Sequence, residues 1–208
     1  MLAGVKICEN DVTGQIKTDP KGTESATFVK NHNAMVSQKI QKALNEQIQL
    51  EGNSAQYYLA MASWAETKGM NGVAQFLFKH SDEERLHMLK LIRFINERGG
   101  QATVPALAKP PRDFSSLLAV FEEVLEHEIK VSAEINKLVE VCLKEKDYTT
   151  HNFLQWYVSE QIEEEALARH VLDKLHLIGG DKGGLYLIDR DLENLSIAGR
   201  VDTRPAAK

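Results

Sequence analysis

Four long stretches of this sequence place apolar residues at the spacing of an amphipathic helix. The first covers residues 36–68, the second ends near Arg98, the third covers 115–144 and the fourth covers 147–178. In each stretch the apolar side chains recur every three to four residues, so they line one face of a helix. A helix with one apolar face must bury that face against other elements. The sequence therefore predicts an all-α protein built as a four-helix bundle.

The connections between these stretches set the order in which the helices pack. Residues 68–72 (KGMNG) form a tight turn, which makes the first two helices antiparallel neighbours. Residues 99–114 contain two glycines and three prolines, which exclude a helix and leave an unusually long loop. Such a loop can reach roughly 53 to 58 Å, whereas a helix of about 28 residues is about 42 Å long. The third helix can therefore run parallel to the second, after one long crossover loop.

A fifth, shorter helix is predicted at the C-terminal end of the folded region. It covers residues 185–195, and glycine pairs at 179–180 and 183–184 are expected to bracket a sharp bend between it and the fourth helix. The folded domain is then 35–195, with four long helices, one crossover loop and a short fifth helix.

The ends of the chain and its net charge limit the possible functions. Residues 1–34 are polar and aperiodic, so we expect a disordered N-terminal extension, and residues 196–208 form a C-terminal tail. The net charge of -5 argues against a protein that binds nucleic acid through a basic face. No stretch approaches the roughly 18 apolar residues that span a bilayer, and the N-terminus lacks the apolar core of a secretory signal. We therefore expect a cytoplasmic protein with no nucleic-acid or membrane partner.

Ionisable or amide side chains interrupt the apolar stripe near the middle of every long helix. These residues are Glu51 in the first helix, His80, Glu84 and His87 in the second, Glu128 in the third, and Gln161 and Glu164 in the fourth. Their spacing places them on the inward face, and antiparallel packing brings them to one level of the bundle. Glu84 and His87 lie one turn apart on one face, as a chelating pair requires. His80 is expected to be a satisfied core histidine, and His127 is expected at the surface.

A bundle cannot bury this many acidic groups without a compensating positive charge. Each uncompensated buried charge costs several kcal/mol, against a total stability of roughly 5 to 15 kcal/mol. The stripes carry no lysine or arginine at that level, so a metal ion is the expected counter-charge. Oxygen-rich ligands with a single imidazole suit iron or manganese better than structural zinc, and a shared carboxylate can bridge two ions. The spacing thus predicts a two-metal centre inside the bundle.

Four segments of the sequence resemble the bacterial non-haem ferritin family. They are LNEQIQLE at 44–51, FLFKHSDEERLHM at 76–88, FLQWYVSEQIEEE at 153–165 and GLYLIDRDLENL at 184–195. The resemblance extends from Met35 to about Leu195 and implies a ferritin-like bundle. It also implies a ferroxidase that takes Fe(II) and O2 as substrates and stores Fe(III) as ferric oxyhydroxide inside a homo-oligomeric shell of 24 subunits.

The same resemblance implies roles for individual residues. A first iron is implied at three residues, namely Glu51, Glu84 and His87. A second iron is implied at Glu128 and Glu164, and Glu84 bridges the two irons. Gln161 is implied to lie beside the second iron. A third, weaker iron site is implied at Glu83, Glu160 and Glu163. Tyr58 is implied to lie beside the first iron as a hydrogen-bonding residue with a catalytic role. Trp156 is either a candidate electron donor or a residue that only packs in the core.

Three other functions are open to a bundle of this kind. A haem-containing bacterioferritin carries a second Glu-x-x-His in its fourth helix, where this chain has Gln161, and a haem-ligating Met where this chain has Arg85, so no haem is expected. A shell protein that only templates mineral lacks the oxidase ligands, whereas this chain keeps the whole set. A diiron enzyme acting on an organic substrate needs an insertion that builds a substrate pocket, and the sequence shows none.

Overall fold

Helices account for all regular structure in the part of the chain that the structure describes. The computed structural model describes residues 35–198, so the extension predicted at 1–34 and the tail from residue 199 onward lie outside the described residues. The helices are α1 (Gln38–Thr67), α2 (Asn71–Glu97), α3 (Leu117–Glu145), α4 (Tyr148–Ile178) and α5 (Lys182–Ala198). The predicted four-helix bundle with an additional C-terminal helix is confirmed. None of these five helices has an apolar stretch long enough to cross a membrane.

Side chains at the starts of three long helices explain where those helices begin. Ser37, Ser116 and Asp147 each precede a helix, and each side chain accepts a hydrogen bond from the backbone N–H three residues further on. Such caps satisfy N–H groups that have no partner inside the helix, and each typically contributes about 1 kcal/mol. Between α3 and α4, Lys146 adopts a left-handed conformation with a φ of 57°, which ends α3 and turns the chain into α4.

Contacts between the helix ends define the topology of the bundle. The backbone N–H of Met35, before α1, donates to the carbonyl of Arg98, after α2, at 3.0 Å, so α1 and α2 are antiparallel. The ammonium group of Lys39, early in α1, lies 3.3 Å from the carboxylate of Glu145 at the end of α3. Helix α1 is therefore antiparallel to α3 as well, and α2 and α3 run parallel to each other. The predicted crossover connection is confirmed.

The crossover loop runs along α1. Oδ1 of Asn45 accepts a hydrogen bond from the N–H of Thr103 at 2.8 Å, and Oδ1 of Asn53 accepts one from the N–H of Ala108 at 2.9 Å. These asparagines satisfy loop N–H groups that have no partner in a helix. Between them, Gly52 lets the loop approach closely, because a Cβ at that position would lie 2.7 Å from the Leu107 side chain.

The start of α2 differs from the prediction. The sequence places Gly72 in the turn before the helix, but α2 begins at Asn71 and includes this glycine. The reason is a long-range contact, since the side chain of Asp189 on α5 accepts a hydrogen bond from the N–H of Val73 at 2.9 Å and so caps α2. Helix α5 packs closely here, and a Cβ at Gly72 would overlap the backbone carbonyl of Asp189.

The start of α5 also corrects the prediction. The helix begins at Lys182, so Gly183 and Gly184 lie in its first turn instead of the bend, and it continues to Ala198. The carboxylate of Asp181 accepts a hydrogen bond from the N–H of Gly184 at 2.6 Å, which caps the helix and offsets the low helix propensity of glycine. A Cβ at Gly184 would lie 2.8 Å from the Cβ of Ile178, so this glycine permits close packing against the end of α4.

A polar layer divides the apolar core of the bundle into two clusters. One cluster includes Met61, Leu77 and Phe121, and the other includes Leu44, Leu91 and Leu154. Between these two levels, each of the four long helices carries buried polar or charged side chains. The two apolar clusters stabilise the fold on either side, which leaves the layer between them as the place to look for a functional site.

Candidate metal centre

Four buried carboxylates, one from each long helix, meet in the polar layer. They are Glu51 on α1, Glu84 on α2, Glu128 on α3 and Glu164 on α4, and each is at most 3% exposed. The helical period carries them inside, because each occupies an inward position between apolar residues of its stripe. The basic groups that face them include two imidazoles, those of His80 and His87. The layer therefore concentrates negative charge where solvent screens it least.

Glu51, Glu84 and His87 form a group that could hold a metal ion. One potential ligand atom from each residue lies within 4.8 Å of the others. Nδ1 of His87 is 3.5 Å from Oε2 of Glu84 and 4.0 Å from Oε2 of Glu51. Neither of these two buried carboxylate oxygens has a hydrogen-bond donor among the described residues. A buried polar atom without a partner is costly, and a cation between the oxygens would remove that cost.

Two aromatic residues of α4 surround His87. The hydroxyl of Tyr157 donates a hydrogen bond to the backbone carbonyl of His87 at 2.8 Å. The ring of Trp156 meets the imidazole edge-on, with 5.2 Å between the ring centroids. The ammonium group of Lys90 lies 3.3 Å from the centroid of the Trp156 indole ring, as in a cation–π contact. These contacts fix the part of α2 that presents the imidazole.

Gln47 belongs to the site although the sequence interpretation does not include it. Its side chain is buried, and Nε2 donates a 2.8 Å hydrogen bond to Oε1 of Glu51, one turn further along α1. The bond leaves Oε2 of Glu51 as the oxygen directed at the metal-capable group. The signal was present in the sequence, because Gln47 occupies the same inward stripe as Glu51 at a spacing of four residues.

Glu128 is held by two neutral donors. The hydroxyl of Tyr58 donates to Oε1 of Glu128, and Nε2 of Gln161 donates to Oε2 at 2.9 Å. With both oxygens engaged, Glu128 is not part of either metal-capable group found among the described residues. Tyr58 and Gln161, both named from the sequence, therefore lie in the layer and orient this carboxylate. Holding a metal would require Glu128 to exchange one of these donors for the ion.

Burial and mutual repulsion favour the protonated form of these carboxyls. Desolvation is the largest cause that raises the pKa of Glu51 and of Glu84 well above the usual range, and neighbouring carboxylates raise both pKa values further. Desolvation likewise raises the pKa of Glu128 to about 7, against the effect of its Tyr58 hydrogen bond. Protons and metal ions therefore compete for the same oxygens, so metal binding should release protons.

A second metal-capable group lies beside the first and includes a residue that the sequence interpretation rejects as a ligand. It consists of His80, Glu83 and Glu164. His80 is buried as expected, but it is not a fully satisfied core histidine. Nδ1 lies 2.9 Å from the carbonyl oxygen of Phe76, while Nε2 has no hydrogen-bond partner among the described residues and faces Oε2 of Glu164 at 3.5 Å.

The residues predicted to form a third site differ in burial. Glu160 is buried, Glu83 is half-buried and Glu163 is exposed. Of the three, only Glu83 belongs to a metal-capable group within residues 35–198.

His127 is not the surface residue that the sequence suggests. It is half-buried, its ring stacks on Tyr57 and meets the edge of Tyr58, and its Nε2 contacts the hydroxyl of Ser54. Desolvation is the main cause that lowers the pKa of His127 to about 4. His127 therefore packs as a neutral ring against Tyr57 and Tyr58.

Known proteins resemble this chain in both sequence and fold. A family model for the ferritin-like domain matches residues 41–178. The bacterial non-heme ferritin of Campylobacter jejuni is 46% identical over 164 residues, which cover 79% of this chain and 98% of the relative. The bacterial non-heme ferritin of Escherichia coli is 38% identical over 161 residues, which cover 77% of this chain and 98% of the relative.

A solved structure gives the same result at the level of the fold. It is described as an open pore ferritin from the hyperthermophilic archaeon Archaeoglobus fulgidus, and it matches with a TM-score of 0.75 and 45% sequence identity. The match covers 77% of this chain and 98% of that chain.

Proposed function

Because the chain belongs to the ferritin family, we propose that it oxidises Fe(II) with O2 at the buried carboxylate centre and stores the resulting Fe(III) as ferric oxyhydroxide. The observation that carries this proposal is the convergence of Glu51, Glu84 and His87 in one buried group, with unpartnered carboxylate oxygens directed into it. Glu128 and Glu164 approach the same level of the layer from the other two long helices.

The ligands divide between two iron positions. Glu51, Glu84 and His87 hold the first iron, and Glu84 also reaches the second, which takes Glu128 and Glu164. Gln161 stays beside the second iron, since its amide already contacts Glu128. A carboxylate-rich set with one imidazole suits Fe(II), and two ions sharing Glu84 offset the repulsion that raises the carboxyl pKa values.

The protein positions the iron and excludes water, while the iron supplies the electrons. Two Fe(II) substrates each lose one electron to O2, which is reduced to H2O2, and after hydrolysis of the two Fe(III) to the oxyhydroxide the net release is four protons. The apolar clusters on both sides of the layer limit access by bulk water, which strengthens the electrostatic interactions inside. Tyr58 donates to the Glu128 carboxylate and is the catalytic residue that can hold this ligand as the iron arrives and leaves.

Membership of the ferritin family also supports a proposal about the assembly of the chain and its location in the cell. We infer a homo-oligomeric shell of 24 subunits, in the cytoplasm, with α5 lining an axis where four subunits meet. The capping of α2 by Asp189 gives α5 a defined orientation on the bundle, which such a role requires. Haem has no part in this function, and the partners are Fe(II), O2 and further copies of the chain.

Oxidation kinetics test the proposal. Apoprotein mixed with Fe(II) in air should form ferric absorbance far faster than Fe(II) alone, and Glu84→Gln should reduce the rate to that of autoxidation. Glu97→Gln removes an exposed carboxylate from the same helix and should leave the rate unchanged. A wild-type rate equal to autoxidation, or an unchanged rate in Glu84→Gln, would show a shell protein without oxidase activity.

A further inference from the structure

The ammonium group of Lys90 lies over the face of the Trp156 indole ring. Nζ is 3.3 Å from the centroid of that ring, well within the roughly 6 Å at which a cation and an aromatic face attract each other. Trp156 is half-buried and packs against the apolar cluster that includes Leu91 and Leu154. Water screens a charge poorly at such a position, so the attraction is stronger than at a fully exposed site.

The same indole also touches the metal-capable group. Trp156 meets the imidazole of His87 edge-on with 5.2 Å between the ring centroids, and it meets Tyr157 edge-on at 4.9 Å. Because rings at these distances are in van der Waals contact, an electron can pass between Trp156 and an iron held by His87 without an intervening group. Distance therefore does not keep Trp156 out of the redox chemistry. The energy needed to remove an electron from the indole decides whether it takes part.

A cation on the face of the ring raises that energy. Removal of one electron from the neutral indole leaves a radical cation, which then loses its N–H proton to solvent. The negative face of the neutral ring attracts the Lys90 ammonium group, whereas the radical cation repels it. Oxidation of Trp156 therefore removes one favourable interaction and adds repulsion between like charges at short range.

We propose that Lys90 protects Trp156 from one-electron oxidation, so that both electrons that reduce O2 to H2O2 come from the two Fe(II). Lys90 is then a positioning residue, which acts through the indole and not on the iron. Trp156 is accordingly a poor electron donor in spite of its contact with His87. The inference rests on the proposed function for the oxidant that Trp156 meets, but the effect of Lys90 on the indole can be measured without iron.

The competing explanation is packing alone. The methylene chain of a lysine can cover apolar surface while its charged end reaches water. A Lys90 with only this role would shield Trp156 from solvent without changing how readily the ring gives up an electron. Variants that keep an extended side chain and change its charge separate the two explanations.

The first experiment measures the oxidation of Trp156 in the full-length apoprotein by hexachloroiridate(IV). A Trp64→Phe background leaves Trp156 as the remaining tryptophan. The indole gives one electron to the iridium, which becomes iridium(III) and loses its colour, and peptide mass spectrometry locates the oxidised residue. In this background Lys90→Met should increase the rate of oxidation at Trp156 about tenfold, because the stabilisation of the neutral ring is lost.

Two matched variants should leave that rate unchanged. Lys90→Arg keeps a cation that can lie on the ring, and Arg93→Met removes an exposed positive charge from the same helix. Loss of a positive charge by itself slows attack by the hexachloroiridate dianion, so faster oxidation in Lys90→Met cannot come from attraction of the reagent. Lys90→Gln is a second neutral variant, to be used if Lys90→Met does not fold.

Quenching of Trp156 fluorescence by acrylamide, which is neutral, measures the accessibility of the ring in the same proteins. Equal quenching in all of them, with faster oxidation only in the neutral variants at position 90, supports the proposal. It is overturned by an unchanged oxidation rate in Lys90→Met, by an equal increase in Lys90→Arg or Arg93→Met, or by a parallel rise in acrylamide quenching.

The second experiment uses the oxidant that the proposed function supplies. After repeated additions of Fe(II) in air, oxidation products of Trp156 should accumulate in Lys90→Met but not in Lys90→Arg. Their absence from Lys90→Met while iron is oxidised normally would overturn the protective role. If the wild-type protein oxidises no iron, the proposed function fails, and the result with hexachloroiridate(IV) still decides the role of Lys90.

Discussion

The side-chain amide of Gln47 donates a 2.8 Å hydrogen bond to Oε1 of Glu51, and Oε2 of the same carboxylate has no donor among the described residues. One oxygen of Glu51 is therefore fixed by a neutral donor while the other remains available to a cation. Because Gln47 favours the charged form of Glu51 and opposes the desolvation that raises its pKa, it keeps this ligand competent to bind a metal.

Replacing Gln47 should weaken metal binding without removing a ligand. In Gln47→Leu, the pKa of Glu51 should rise further because a donor to its carboxylate is lost, so protons compete more strongly with the metal. We expect a roughly tenfold loss of Zn(II) affinity, since one hydrogen bond to a charged group contributes about 1.5 kcal/mol or more. Gln49→Leu changes an exposed glutamine on the same helix and should bind Zn(II) as wild type does. Equal affinities in the two variants would exclude a role for Gln47.

The buried carboxyls predict how the apoprotein responds to pH. The pKa of Glu128 rises from an ordinary 4.5 to about 7 on folding, so the native state binds more protons than the unfolded state between these values. The contribution of Glu128 to the free energy of unfolding is therefore present below about pH 4.5 and is lost as the pH rises to about 7. Glu128→Gln should flatten this decline, whereas Glu122→Gln, at an exposed position of α3, should not. Thermal unfolding at fixed protein concentration measures the stability at each pH. Parallel pH profiles for wild type, Glu128→Gln and Glu122→Gln would contradict the raised pKa of Glu128.

Tryptophan fluorescence can report on the metal at His87. The chain has 2 tryptophans, Trp64 and Trp156, and only Trp156 contacts His87. Trp64 is about 20 Å beyond Glu51 along α1. Co(II), which quenches nearby fluorophores, should therefore strongly quench the Trp64→Phe variant, in which Trp156 is the remaining fluorophore. It should have little effect on Trp156→Phe. Equal quenching of both variants would place the Co(II) elsewhere.

The contact between Gly72 and α5 predicts a specific loss of stability. In Gly72→Ala the new Cβ overlaps the backbone carbonyl of Asp189, so α5 must move and its cap on Val73 should break. Such overpacking typically costs 1 to 3 kcal/mol, and we expect a cost of about 2 kcal/mol with faster proteolysis of α5. Gly180→Ala is the matched control, because no atom lies within 4 Å of a Cβ there. If both variants resist heat and protease alike, α5 is not held by this contact.

Periodicity alone predicted the long helices and the inward carboxylates, because a 3.6-residue repeat determines which residues share a face. It could not determine what each inward residue meets. His80 looked like a satisfied core histidine because the stripe shows that it is buried but not that Nε2 faces Glu164. The stripe likewise places Gln47 inside the bundle, one turn from Glu51, but does not show that its amide donates to that carboxylate.

The errors at the helix ends have the same origin. Glycines at 72, 183 and 184 read as helix breakers, yet all three lie inside helices. Asp189 caps α2 from a distant part of the chain, and Asp181 caps α5 locally. Close packing then makes glycine necessary at 72 and 184, which no local pattern reveals. The iron chemistry came from the family resemblance, since the spacing alone was compatible with manganese as well.

The most direct test of the central claim is the structure of crystals soaked with Fe(II) without oxygen. Anomalous scattering at the iron edge should give two peaks in the polar layer, one among Glu51, Glu84 and His87 and the other between Glu84, Glu128 and Glu164. Glu84 should contact both. Iron bound only at the surface, or a single peak that Glu84 does not touch, would contradict a two-iron centre inside the bundle.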